Sequence, residues 1–263
     1  MNSLAAKRRH PGAVLVVLFM GLCLTGVIYS VVGSAATAGA TPKTASSTEV
    51  DHGRQLFIEG CASCHGIGAQ GTQIAPTLVG VGAAAVDFQV STGRMPLAAP
   101  GGQAERKPPQ YTGEQISNLA AYIATLGPGP EIPSASDLNF ENADLAQGGD
   151  LFRTNCTQCH NFAGSGGALS NGQFAPSLMD ATPQEIYEAM LTGPQAMPVF
   201  ANTTITPQEK QKIIKYITYL KTSPNPGGQD LGRLGPVTEG LALFTVGFGA
   251  LIAVAIWIGA RAK

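Results

Sequence analysis

The chain has 263 residues, room for about two domains on ordinary length grounds, and a formal net charge of −1. Charged residues make up only 13% of it, with 16 Lys and Arg against 17 Asp and Glu, a balance that gives no support to nucleic-acid binding. The 33 Gly and 18 Pro favour loop-rich folds with little sheet.

Residues 1–12 form a basic tail with Lys7, Arg8, Arg9 and His10, and residues 13–33 are an uncharged apolar run. Such a run is long enough to cross a bilayer as a helix, and the positive flank keeps the N-terminus in the cytoplasm. A cleaved signal sequence is the competing reading, because Ala38-Gly39-Ala40 offers a small-residue cleavage site. The length of the run favours a retained anchor; on either reading the domains that follow are exported. Cys23, inside the run, reads as a buried inert thiol. Residues 34–50, rich in Ala, Thr and Ser, read as a flexible tether.

The chemistry is carried by a pentapeptide that occurs twice, Cys61-Ala62-Ser63-Cys64-His65 and Cys156-Thr157-Gln158-Cys159-His160. C-x-x-C-H is the attachment pattern of c-type haem. Two thiols at this spacing reach the two vinyl groups of one porphyrin, and the adjoining imidazole falls under the iron. A structural zinc site wants its Cys pairs about 15–20 residues apart, whereas these are 95 apart. A pair of disulfides leaves both histidines without a reason.

The surrounding sequence repeats too. Gly53 to Phe57 and Gly148 to Phe152 stand equally far ahead of their motifs, and Ala75-Pro76 matches Ala175-Pro176. Thr92-Gly93 matches Thr192-Gly193, and Met95-Pro96 matches Met197-Pro198. Each unit, 51–127 and 147–222, predicts a helix into the haem motif, a loop, a short helix, and a terminal helix packing back on the first. Thr112 with Gln115 and Thr206 with Glu209 predict capping boxes for the terminal helices, and Thr182-Pro183 opens another helix. Met95 and Met197 are the candidate second axial ligands, because Met179 and Met190 have no counterpart in the first unit, and His52 has none in the second. Pro76 and Pro176 are candidates to take the N–H of the proximal imidazoles. Arg54, Arg94 and Arg153 are residue types that pair with propionates, but an exposed arginine is the commoner case and none of them is singled out. The loop Leu97–Gln110, longer in the first unit, reads as a partner-facing or merely solvated surface.

Residues 128–146 and 223–238 read as linkers. Residues 239–260 form a second apolar span with Trp257 near its end, followed by Arg261 and Lys263, so this end returns to the cytoplasm. The expected architecture is all-α: two tandem cytochrome c-like haem domains flanked by transmembrane helices, held outside the cell membrane and in contact with its lipid.

Two such motifs, the phrases Gly60-Cys61-Ala62-Ser63-Cys64-His65-Gly66, Phe88-Gln89-Val90-Ser91-Thr92-Gly93-Arg94-Met95-Pro96 and Leu191-Thr192-Gly193-Pro194-Gln195, and the C-terminal Ala255-Ile256-Trp257-Ile258-Gly259-Ala260-Arg261 carry a resemblance. The chain resembles the di-haem cytochrome c subunit of the actinobacterial cytochrome bcc complex, a menaquinol:cytochrome c reductase. The resemblance implies a cytochrome b subunit and a Rieske iron–sulfur subunit as partners. It further implies two covalent haem c groups that relay electrons, the Cys61/Cys64 group first, to an associated cytochrome c oxidase. On this reading the chain is part of a translocase and itself does no bond chemistry. A di-haem peroxidase, which needs an open sixth position, and a donor subunit of a different oxidase are the alternatives.

Overall fold

The computed structural model describes residues 11–36, 45–99, 101–223 and 236–261. Residues 1–10 of the basic tail, the Ala38–Ala40 site, residues 37–44 of the expected tether, most of the second linker, and Lys263 lie outside the described residues. The chain divides into two units, Met1–Thr44 and Ala45–Lys263. In the first, α1 (Pro11–Ala36) is a single 26-residue apolar helix.

The second unit holds two successive helical assemblies of the same plan. In the first, α2 (Ser47–Gly60) runs into a one-turn helix α3 (Ala62–His65), followed by α4 (Ala83–Ser91) and α5 (Gly113–Ala124). Helix α2 starts earlier than the short helix expected at Gly53–Phe57. Ser46 accepts from the Glu49 N–H and Glu49 accepts from the Ser46 N–H, a capping box inside a stretch whose composition reads as tether. In the second assembly α6 (Leu145–Asn155) runs into α7 (Thr157–His160), then come α8 (Pro183–Thr192) and α9 (Pro207–Thr222). The capping boxes at Thr112/Gln115 and Thr206/Glu209 are present as predicted, with another at Thr182/Glu185. The second assembly also carries a two-residue antiparallel pair, β1 (Gly167–Ala168) with β2 (Phe174–Ala175), in the insertion that puts Pro176 farther from its haem motif than Pro76.

Each assembly is closed by its first and last helices. Helices α2 and α5 cross at Gly53, where a Cβ would lie 1.9 Å from the Asn118 carbonyl oxygen. Helices α6 and α9 cross at Gly148, where a Cβ would lie 2.1 Å from the Lys212 carbonyl oxygen. Only glycine permits backbones to approach so closely. One turn along, Phe57 meets Tyr122 and Phe152 meets Tyr216, both at 5.4 Å between centroids and tilted at 48° and 46°. The repeated glycine and aromatic pair fix the same crossing twice. Phe57, Leu119 and Ile123 fill the first core, and Phe152, Ile213, Ile214 and Ile217 the second; burying each such side chain is worth about 1.5–3 kcal/mol.

The loop after Met95 is not a free surface. Residues 101–110 form neither helix nor strand, and those from Gly102 to Arg106 bond to the second assembly. Gln103 exchanges two hydrogen bonds with the Phe174 peptide, at 2.6 and 2.9 Å, and Gln173 donates to the Gly102 carbonyl at 2.7 Å. Arg106 makes a two-pronged ion pair with Glu185, at 2.8 and 3.0 Å. Alongside this loop α4 packs on α8, and Gln184 bridges Asp87 and Glu188 at 2.9 and 3.0 Å.

Glu188 is fully buried there, and its Oε2 has no hydrogen-bond partner. Desolvation first, then the Asp87 charge, push its carboxyl up to about 9. A carboxyl that holds its proton in the fold but releases it near 4.5 when unfolded binds more protons folded, so its contribution is complete below about 4.5 and is lost as pH rises towards about 9. Glu188→Gln, which carries the neutral form permanently, is expected to flatten the fall of thermal stability between pH 5 and 9 and to raise Tm at pH 8. Thermal melts of both proteins across that range check it, and parallel curves contradict it.

Near the C-terminus α10 (Pro236–Arg261) is apolar, and its Gly240–Arg261 stretch is long and apolar enough to cross a membrane. Its described side chains are exposed, and the Arg261 guanidinium lies 4.9 Å from the Trp257 ring centre.

Candidate haem-binding sites

Both C-x-x-C-H motifs sit on one tight turn at the end of the entry helix. The Cys61 N–H closes α2 on the Phe57 carbonyl, and the His65 N–H returns to the Cys61 carbonyl at 3.0 Å. The second motif repeats this, Cys156 to Phe152 and His160 to Cys156 at 2.9 Å. A single helical turn therefore carries two thiols and an imidazole in fixed register. All four motif cysteines are unpaired and half-buried. Burial, then the neighbouring Cys64, pushes the Cys61 thiol up to about 11; burial, then Cys159, pushes Cys156 up to about 12. Among the described residues no three His, Cys, Asp or Glu side chains gather into a metal-binding group.

The two imidazoles are buried and identically held. His65 Nδ1–H donates to the Pro76 carbonyl at 2.8 Å, and His160 Nδ1–H donates to the Pro176 carbonyl at 2.9 Å. Burial lowers the His160 pKa, with the Pro176 bond opposing it, which favours the neutral ring. A neutral imidazole that donates from Nδ1 carries its lone pair on Nε2, the tautomer needed to bind iron. The prolines expected to take these N–H groups do so.

Met95 and Met197 occupy matching places, each in the loop after the short helix and each half-buried at the edge of its core. Of the rivals in the second assembly, Met190 is spent in the core at 3% exposure, as filler. His52 is exposed on α2. Arg153 pairs with Asp150 at the surface, and Arg54 is exposed. Arg94 is different: it is 7% exposed, its guanidinium lies 4.8 Å from the Phe88 ring centre, and its Nη1 is buried without a hydrogen-bond partner. Burial, then Arg106, lowers its pKa, against the pull of Glu185. A buried cationic donor beside Met95 is suited to an anionic group such as a propionate. Exposed apolar side chains follow both motifs, Ile67 and Ile74 in the first and Phe162 and Phe174 in the second, with Val199 two residues after Met197; apolar surface of this kind suits a porphyrin. The residues present therefore fit haem c.

Sequence reasoning passed over the contacts of Gln103, Ala104, Arg106 and Gln195, whose partners lie 71–91 residues away and leave no local pattern.

Two family profiles match the two assemblies: Cytochrome c over residues 50–127, and Cytochrome C oxidase, cbb3-type, subunit III over residues 143–217. Among similar proteins, the cytochrome bc1 complex cytochrome c subunit of Corynebacterium efficiens is 43% identical over 97% of this chain and 91% of its own. That of Mycobacterium tuberculosis is 44% identical over 97% of this chain and 92% of its own. That of Mycobacterium leprae is 46% identical over 88% and 83%. With two cytochrome c domains in tandem and likeness of this degree along nearly its whole length, the chain belongs to the family of cytochrome c subunits of the cytochrome bc1 complex.

Proposed function

We propose that this chain relays single electrons from the Rieske iron–sulfur subunit of a menaquinol-oxidising cytochrome bcc complex to cytochrome c oxidase. Residues 51–127 and 147–222 each hold one haem c. Cys61 and Cys64 form the thioethers of the first, Cys156 and Cys159 those of the second. His65 and Met95 would hold the first iron, and His160 and Met197 the second. When bound, each haem supplies a ferric/ferrous couple that carries one electron. The protein's part is to present the donors: Pro76 and Pro176 take the Nδ1–H groups and leave Nε2 free to bind iron, and a thioether donor would favour the ferrous state. Arg94 is the candidate partner of a propionate in the first domain. The haem domains face outward from the cell membrane, and helix α10 anchors them beside the cytochrome b subunit of the translocase.

The observation that carries this reading is the twofold repetition of the histidine–proline hydrogen bond, at 2.8 and 2.9 Å. It supports a matched proximal imidazole in both domains, and a methionine at the same place in each repeat favours electron relay over a substrate-binding haem.

Purification in mild detergent through a tag on this chain tests the assignment. Cytochrome b, Rieske and oxidase subunits are expected together, with quinol-driven oxygen consumption. Recovery without the first two overturns the reductase role; recovery with them but without the oxidase overturns the direct relay.

A further inference from the structure

We infer that residues 101–107 of the first domain are a strap that positions the axial-ligand loops of the second haem, chiefly through a reciprocal amide pair between the Ala104 backbone and the Gln195 side chain. The inference rests on the ligation proposed above. Ala104 donates to Gln195 Oε1 at 3.1 Å, and Gln195 Nε2 donates to the Ala104 carbonyl at 2.9 Å. Gln195 stands in the turn that delivers Met197, closed by the Met197 N–H on the Pro194 carbonyl at 3.1 Å. Its own φ is 57°, a left-handed conformation that a non-glycine residue keeps only where surroundings hold it. The two amide bonds provide that hold, and both come from the other domain.

The same strap reaches the histidine side. Gln103 brackets the Phe174 peptide with two bonds, two residues ahead of the Pro176 carbonyl that takes the His160 N–H. At its far end the strap is tied to its own domain's methionine loop. The Lys107 N–H donates to the Thr92 carbonyl at 3.1 Å, and Lys107 Nζ to the Pro96 carbonyl at 3.3 Å. It passes so close over Gly93 that a Cβ there would lie 2.0 Å from the Lys107 carbonyl oxygen. One segment thus touches the methionine loops of both domains. Thioether is a weak ligand, so the loop that presents it decides how fully it is engaged.

The test uses the full chain with both haems, in its complex. The readouts are the near-infrared sulfur-to-iron absorption of the ferric protein and carbon monoxide binding by the reduced protein. Gln195→Ala is expected to bring the sulfur band down towards about half, since one of two irons is affected, and to open the second haem to carbon monoxide. Ala104→Pro, a change in the other domain that removes the N–H donor, is expected to act in the same direction. In a Met197→Ala background Gln195→Ala adds nothing. Where Gln195→Ala loses haem, Gln195→Glu, which keeps the acceptor for Ala104, is read instead and shows a partial effect. Wild-type band intensity and carbon monoxide binding in the Gln195 and Ala104 variants overturn the strap. A wild-type protein whose second haem lacks the sulfur band overturns the ligation itself, and the strap with it.

Discussion

Gly148→Ala is expected to destabilise the second cytochrome domain by about 3 kcal/mol, the upper end of what overpacking costs. The new methyl carbon would start 2.1 Å from the Lys212 carbonyl oxygen and 3.2 Å from the Tyr216 Cβ. Neither is the end of a flexible side chain, so α6 and α9 must separate and the Phe152–Tyr216 contact behind them opens. In a domain of this size the loss corresponds to a fall in Tm on the order of 10–20 °C. Gly53→Ala does the same to the first domain, against the Asn118 carbonyl at 1.9 Å. Gly113→Ala is the control: nothing lies within 4 Å of its Cβ, and removing a glycine there leaves stability unchanged or raises it by about 0.4–1 kcal/mol. Thermal unfolding of the haem-loaded variants decides the matter. Wild-type melting of Gly148→Ala would mean that the crossing helices are not held this tightly.

The other large effect concerns the axial methionines. Met95→Ala and Met197→Ala each remove one thioether while leaving the imidazole and the covalent attachment in place. Each variant is expected to bind carbon monoxide at about half of its reduced haem, to lose about half of the ferric sulfur band, and to show one haem of lowered potential, because the thioether favours the ferrous state. The double variant extends all three changes to both haems. Flash photolysis of the carbon monoxide adduct, with a redox titration, measures this. A Met197→Ala protein with an unchanged sulfur band would assign the second ligand to another side chain, with the half-buried Met179 the remaining methionine outside the core of that domain.

Much of the plan was legible before any coordinates. The twin pentapeptides, the matched Gly53 and Gly148 and the threonine-led capping boxes are local patterns, and local patterns survive in sequence. Pro76 and Pro176 could be nominated as acceptors because the repeat singled them out. What escaped was non-local or disguised. Ser46 caps α2 through Glu49, yet the Ala, Thr and Ser around it look like linker. The segment 101–110 has the composition of a solvated loop, and its partners Phe174, Glu185 and Gln195 lie far along the chain. Arg94 resembled any other arginine; it lies over the Phe88 ring and within reach of the charges of Arg106 and Glu185, which no spacing rule records. Glu188 was invisible for a related reason, since a glutamate in an amphipathic helix reads as solvent-facing until a second helix covers it.

Everything proposed for this subunit depends on two covalently held haems with methionine-capped irons. Intact-mass spectrometry of the mature protein under denaturing conditions tests that most directly, because thioether-bound haem survives unfolding whereas coordinated haem is lost. The predicted result is the polypeptide plus two haem masses, falling to one when Cys156 and Cys159 are both replaced by serine. A denatured chain carrying no haem mass, or only one in the unaltered protein, would contradict it.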